Sequence, residues 1–449
     1  MTAGRLFLSV ALAAGISAAV PDSARSAPVS GRAFFDIYSP TKNRFSKPLT
    51  QLSASLWLNW DHQFGEEGES RWSSRLTFEA NAFDFNNAVV TGVGESTHVE
   101  SALREGYLNY VNGGFDLRAG RVIVPWGKSD VVNPTDYLTA KNYTFFNPDS
   151  EVQRGGGAGL IAAWTPENLA AWSFTAVVNP YFAEGRFLIA PGVLPPGVSV
   201  ESPTRPETGK VDNFESAVKI AYSGESWDAS LSGYKGWNHY PEFTEKSHAL
   251  VAPGVVAVDL KQIYRKQSAA GFDFSWNREK WTYRGESAFF WTENQNGQNM
   301  LSTPMHHDTV VGAERPIGDD FRVQAQYIYR YFPNYRPLDE VTGPDPVSAS
   351  VNQQIARANA LLFQYQDRNN GSVTFRVSYM NESSGWDAEI FFMENIAGQD
   401  FLVRPKISYA ATDTLRYTLG ADVYGGPDHR TLGAMNPYNS VFLEAKSTF

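Results

Sequence analysis

The sequence predicts an all-β protein, a closed antiparallel transmembrane β-barrel of eighteen strands, with sixteen as the alternative count. Three observations carry this. Apolar and polar residues alternate with period two in segment after segment, no second apolar run of 18 or more follows the amino terminus, and the connections between segments are alternately short and long. Side chains of a strand point to its two faces in turn, so each segment is a ribbon with one apolar and one polar side.

Composition narrows the function classes. The 449 residues are 42% hydrophobic, 14% aromatic and 19% charged, with no Cys and a net charge of -10. So many aromatics exclude a disordered chain. Without Cys there is no disulfide framework, thiolate zinc site or iron-sulfur cluster. An acidic chain is also a poor nucleic-acid ligand. No cofactor and no nucleic-acid partner are expected.

In chain order, Arg5 precedes the uncharged apolar run Leu6 to Val20, and Ser17-Ala18-Ala19 offers small residues where a signal peptidase cleaves. Its length falls short of the ~20 apolar residues that span a bilayer, so residues 1–19 read as an export signal, with cleavage as late as 27. Residues 28–449 then form one barrel domain. Strands are expected at 31–38, 49–62, 71–85, 100–111, 114–124, 155–164, 170–179, 212–222, 226–237, 260–276, 280–292, 307–315, 320–331, 371–380, 386–394, 401–410, 413–424 and 438–449. The tight connections include Asn112-Gly113-Gly114, Asn277 to Lys280 and Ala410 to Asp413, and they fit periplasmic turns, with the long loops extracellular. Within the long loop 332–370, Ser350 to Gln366 predicts a short helix at or inside the mouth, with a long strand as the rival.

A soluble β-sandwich would also accept such ribbons, hiding the apolar faces against each other. The barrel is preferred because aromatics gather at strand ends, as in Trp281 with Trp291 and Trp227 with Trp237, which matches interfacial girdles. The last alternating strand also closes on Phe449. A terminal aromatic there resembles the insertion signal of Gram-negative outer-membrane proteins.

The most distinctive segment is Leu103 to Asp136, in which a hairpin leads to Gly120-Arg121, Trp126-Gly127 and Asn133-Pro134-Thr135-Asp136. It resembles a family of uncharacterised proteobacterial outer-membrane, porin-like barrels that share a glycine-arginine, tryptophan-glycine, asparagine-proline-x-aspartate run. The stretch Leu402 to Gly426 is also similar to that family. The resemblance implies a porin-like barrel and leaves the solute open. Gly127 and Pro134 turn the chain sharply, and Arg121, Trp126, Lys128, Asp130 and Asp136 are the candidate constriction residues of an inward-folded loop, 125–154. A self-packed extracellular plug is the other reading.

Other motifs carry less. Gly127-Lys128-Ser129 lacks the first glycine of a phosphate-binding loop. Arg154 to Gly159 (RGGGAG) precedes a strand, so it reads as a loop exit or a close backbone approach. His306 and His307 adjoin on a strand and point to opposite faces, a poor metal site. On the polar faces, Arg284, Arg322, Arg330, Arg376, Arg404, Lys406 and Arg416 are candidate pore-lining cations, sharing those faces with Glu286, Asp387, Glu389, Asp422 and Glu444. They form either a basic path for an anionic solute or ion pairs that hold register, and the mixed signs favour pairing.

The expectation is therefore an outer-membrane, non-enzymatic, porin-like channel for passive diffusion of small hydrophilic solutes, with weak anion preference. Its partners would be outer-membrane lipid and lipopolysaccharide, the barrel-assembly machinery and the solute. Two alternatives remain: a barrel sheathing a partner in an export or electron-transfer assembly, and an outer-membrane enzyme, which would need a Ser or Asp with a His on neighbouring strands at the lipid-facing rim.

Overall fold

The computed structural model describes residues 29–41, 51–64, 70–85, 89–90, 99–143, 151–189, 197–252 and 255–449. The expected signal segment lies outside them. Among the described residues, eighteen strands form one sheet: β1 Val29–Pro40, β2 Gln51–Phe64, β3 Ser70–Phe85, β4 Val99–Asn112, β5 Phe115–Val122 and β6 Gly157–Trp164. They continue as β7 Trp172–Tyr181, β8 Glu215–Ser223, β9 Trp227–Trp237, β10 Lys266–Arg278, β11 Trp281–Thr292 and β12 His306–Ile317. The last six are β13 Phe321–Tyr331, β14 Asn369–Asn381, β15 Trp386–Asn395, β16 Asp400–Ala410, β17 Leu415–Gly425 and β18 Ser440–Thr448.

Each strand pairs antiparallel with its sequence neighbours, and β1 pairs with β18, so the sheet has no edge. Closure lets every strand find its backbone partners inside the wall, which a lipid-embedded sheet requires. At the seam, Gly31 N donates to Phe449 O at 2.8 Å and Phe449 N to Gly31 O at 3.1 Å. A Cβ at Gly31 would meet the Phe449 ring at 2.4 Å, so glycine lets the terminal ring lie against the wall.

Alternation places exposed Leu108, Leu160, Val218, Leu231, Val311, Phe375, Ile390, Leu419 and Leu443 on the outer surface. The polar face turns inward. Exposed aromatics crowd the end carrying the tight turns: Phe64, Trp72, Phe115, Trp164, Trp172, Trp227, Trp276, Trp281, Phe321 and Trp386, while Tyr181, Trp291 and Phe401 mark the opposite end. Two belts are present, the turn-end one the denser.

One expected strand is corrected. The alternation that predicts 260–276 runs through two elements: residues up to Ile263 belong to a loop hairpin, Glu242–Ala252 with Val255–Ile263, and the wall strand β10 starts only at Lys266. Helix α1, Pro346–Phe363, occupies the long loop as the helical reading predicted. Asp345 caps it by accepting from Val347 N at 2.8 Å and Ser348 N at 3.0 Å, satisfying donors that the first turn leaves free. Its buried face, Val351 and Ile355, packs on Phe243, Val258 and Leu260 of the hairpin. Asn359 fixes the contact, its Oδ1 accepting from Phe243 N at 2.9 Å and its Nδ2 donating to Phe243 O at 2.8 Å and Leu301 O at 2.7 Å.

Candidate pore constriction

The segment after β5 turns into the barrel. The pinched wall beside it is built from backbone: a Cβ at Gly159 would lie 1.9 Å from Val178 O, and one at Gly120 (φ +137°) 2.2 Å from Gly106 O. The close-approach reading of Arg154 to Gly159 is thus the one the structure supports. From Ile123 to Thr139 the chain reaches from β5 to β9, β11 and β13, which lie four, six and eight strands further along the wall of eighteen.

Its anchor is a single carboxylate. Glu286, on β11 and 2% exposed, accepts through Oε1 from Lys128 N and Ser129 N at 2.5 Å each and from Asn133 Nδ2 at 3.3 Å. Through Oε2 it accepts from Thr135 N at 3.1 Å and Thr135 Oγ1 at 2.9 Å. Five donors satisfy a buried charge that would otherwise be costly to hold away from water. Gly127 takes φ +98° directly against this carboxylate. Gly127 of the tryptophan-glycine run and Asn133 and Thr135 of the Asn133-Pro134-Thr135-Asp136 run therefore have a local reason: they wrap one acid.

Aromatic packing seals the flank of the loop. Tyr137 stacks on Tyr234 with ring centroids 5.6 Å apart and meets Trp126 and Phe290 edge-on at 6.2 and 6.0 Å. Lys219 Nζ lies 5.5 Å from the Trp126 ring centroid. A Cβ at Gly271 would approach Tyr137 Oη to 2.2 Å, so that wall position has to be bare. Lys128 pairs with Asp228, and Asp130 takes Arg284 at 3.4 Å and Gln324.

The five predicted constriction residues thus separate. Lys128 and Asp130 stand on the inward loop and bind it to the wall. Trp126 is buried in the aromatic cluster with Tyr137 and Tyr234. Asp136 also turns inward on the loop: Oδ1 accepts from Trp126 N at 3.3 Å, and Oδ2 is buried without a hydrogen bond among the described residues. Burial pushes this carboxyl up from the usual range, against the pull of Lys141. Arg121 belongs to β5, not the loop. It has no hydrogen bond or ion pair among the described residues, and its charged neighbours are Glu79, Arg104 and Arg186.

The seven predicted lumen cations all meet acids. Arg284 lies 3.2 Å from Glu314, Arg322 3.4 Å from Glu314, Arg330 2.5 Å from Asp308, Arg376 3.8 Å from Glu389 and Lys406 3.1 Å from Glu389. Arg404 pairs with Asp422, and Arg416 with Asp387. The polar face is a ladder of alternating sign. Glu286 escaped the sequence reading as an anchor because its partners are mostly backbone amides. Beyond the loop tip, a cavity is bordered by Val132, Pro134, Arg330, Asn370, Asn395 and Arg430.

On the outer face, Ser287 Oγ lies 2.7 Å from His307 Nε2 and 3.1 Å from Thr309 Oγ1, across β11 and β12. The structure brings together a Ser and a His on neighbouring strands, the arrangement named above as necessary for an enzyme. It adds no described group against His307 Nδ1 that would orient the ring, and the cluster is one in which polar groups on an apolar surface satisfy one another.

No family profile matches the chain, and no curated protein matches it in sequence. Its fold is similar to that of Acinetobacter baumannii OccAB1, with a TM-score of 0.53 and 8% identity over 94% of this chain and 95% of that one. Pseudomonas aeruginosa OccK5 (OpdH) aligns at a TM-score of 0.49 and 11% identity, covering 94% of this chain and 98% of that one. A mutant of Rh. blastica porin aligns at 0.42 and 10%, covering 94% and 99%. The likeness to OccAB1 is one of fold.

Proposed function

We propose that the protein is an outer-membrane, porin-like channel through which small hydrophilic solutes diffuse passively. The observation that carries this reading is the loop anchored by Glu286 inside an eighteen-stranded wall. A barrel of that size is wide enough for an aqueous lumen, and a loop held across it narrows the passage without filling it with a separate domain. The exposed apolar band and the charged interior suit lipid outside and water inside. The same reading includes export by residues 1–19, recognition of Phe449 by the barrel-assembly machinery, and contact with lipopolysaccharide.

Weak anion preference, in this reading, rests on Arg121. Each of the seven ladder cations meets an acid, Glu314 and Glu389 serving two apiece, whereas Arg121 has no paired acid among the described residues. The test is single-channel recording of the purified protein in planar bilayers, with reversal potentials in a salt gradient. Discrete conductance steps with a mild anion bias are expected, and their absence overturns the channel reading.

A further inference from the structure

The predicted lumen cations are all paired, and two arginines on the outer surface are not. Arg278 closes β10 and Arg315 lies near the end of β12, both exposed at the turn end of the barrel. The Arg278 guanidinium carbon lies 5.6 Å from the Trp276 ring centroid, and that of Arg315 5.2 Å from the Trp281 centroid. Register sets Arg278 directly opposite Trp281 and Trp276 opposite Tyr283. Arginine and tryptophan therefore alternate across three adjacent strands in the dense aromatic belt. Neither arginine has a hydrogen bond or ion pair among the described residues. The adjacent acid Glu279 is matched by Lys280 in the same turn, and Glu314 faces the lumen, where Arg284 and Arg322 engage it.

We propose that Arg278 and Arg315, held on Trp276 and Trp281, form a binding site for the phosphate headgroup of an anionic glycerophospholipid in the leaflet at the turn end. Stacking uses the guanidinium face and leaves the N–H edge free, and that edge matches phosphate oxygens two at a time. Tryptophan rings lie naturally at headgroup level and flank the glycerol region. Two exposed guanidiniums side by side favour a lipid with net negative charge, since a zwitterionic headgroup would bring its own ammonium against them.

The inference rests on the membrane-barrel reading. The test is native mass spectrometry of the full chain in detergent, offered equimolar phosphatidylglycerol and phosphatidylcholine. Wild type is expected to retain phosphatidylglycerol preferentially. R278Q/R315Q is expected to lose the preference by about fivefold per arginine removed, and R278K/R315K to keep most of it. Equal phosphatidylglycerol retention by wild type and R278Q/R315Q overturns the site. So does preferential retention of lipid A over phosphatidylglycerol that disappears in the same variant, since the phosphate would then come from the other leaflet. Heat-modifiable gel migration reads the barrel separately: a wild type without the shift overturns the membrane reading and the site with it, whereas a shifted wild type with unselective retention overturns the site alone.

Discussion

Gly127 lies against the carboxylate of Glu286 so closely that a Cβ on it would come within 2.7 Å of Oε1 and 2.8 Å of Oε2. The left-handed φ of +98° permits that approach and delivers the next two amides, Lys128 and Ser129, to the same oxygen. One acid on the wall and one bare position on the loop thus fix where the segment is held.

Removing either partner should free the loop. E286A leaves five buried donors without their acceptor, a change that costs about 3 kcal/mol when a buried charge network loses a member. G127A strains the backbone and pushes a methyl into the carboxylate. Both variants are expected to keep the heat-modifiable barrel and to conduct in larger steps than wild type. Unchanged step size in a loop that proteases still cannot reach would mean that the segment does not set the constriction.

Much of this architecture was legible in the chain. The eighteen wall strands follow from alternation because a closed barrel forces every strand to face lipid on one side and water on the other. The break at Tyr264 and Arg265 was not, since the loop hairpin alternates for its own reasons and joins the pattern of β10 without a turn residue. The signs of the lumen charges were readable, but which cation meets which acid depends on register: Arg404 reaches Asp422 only because residues near Val403 pair with Val423 on β17. Glu286 was visible only as another acid on a polar face. Backbone amides leave no mark in the identity of residues, so its five partners appear only once the loop is placed.

The Arg404 and Asp422 pair offers a stability test. Asp422 is 3% exposed, and a second guanidinium bond reaches it at 3.0 Å. R404Q strands that carboxylate, with an expected loss of about 3 kcal/mol, while R404Q/D422N removes both charges and should recover most of it. Urea unfolding in lipid vesicles measures the three proteins side by side. A double variant as unstable as R404Q would point to packing, not charge, as the role of the arginine.

Selectivity should distinguish free from paired cations. R121Q removes an uncompensated charge and is expected to move the reversal potential toward cations. R416Q should do the same by releasing Asp387, but R416Q/D387N should return to the wild-type value, because the pair contributes no net charge. A wild-type potential in R121Q would remove Arg121 from the anion preference.

Asp136 gives the loop a pH dependence of definite sign. Burial raises its carboxyl pKa above the ordinary value of about 3.9. A group raised in the folded state contributes stability that is fully present below its unfolded pKa and is lost as pH rises through the folded value. Above that folded value the loop therefore holds a carboxylate at a cost, which Lys141 only partly offsets. D136N keeps an oxygen for Trp126 N and sheds the charge. It is expected to protect the loop better than wild type at pH 7, on the order of 1 kcal/mol, with the advantage shrinking as pH falls toward 3. Proteolysis of the loop across that range, in both proteins, measures the difference. A gap that widens toward acid would show that Asp136 is stabilised as the carboxylate, with Lys141 outweighing its burial.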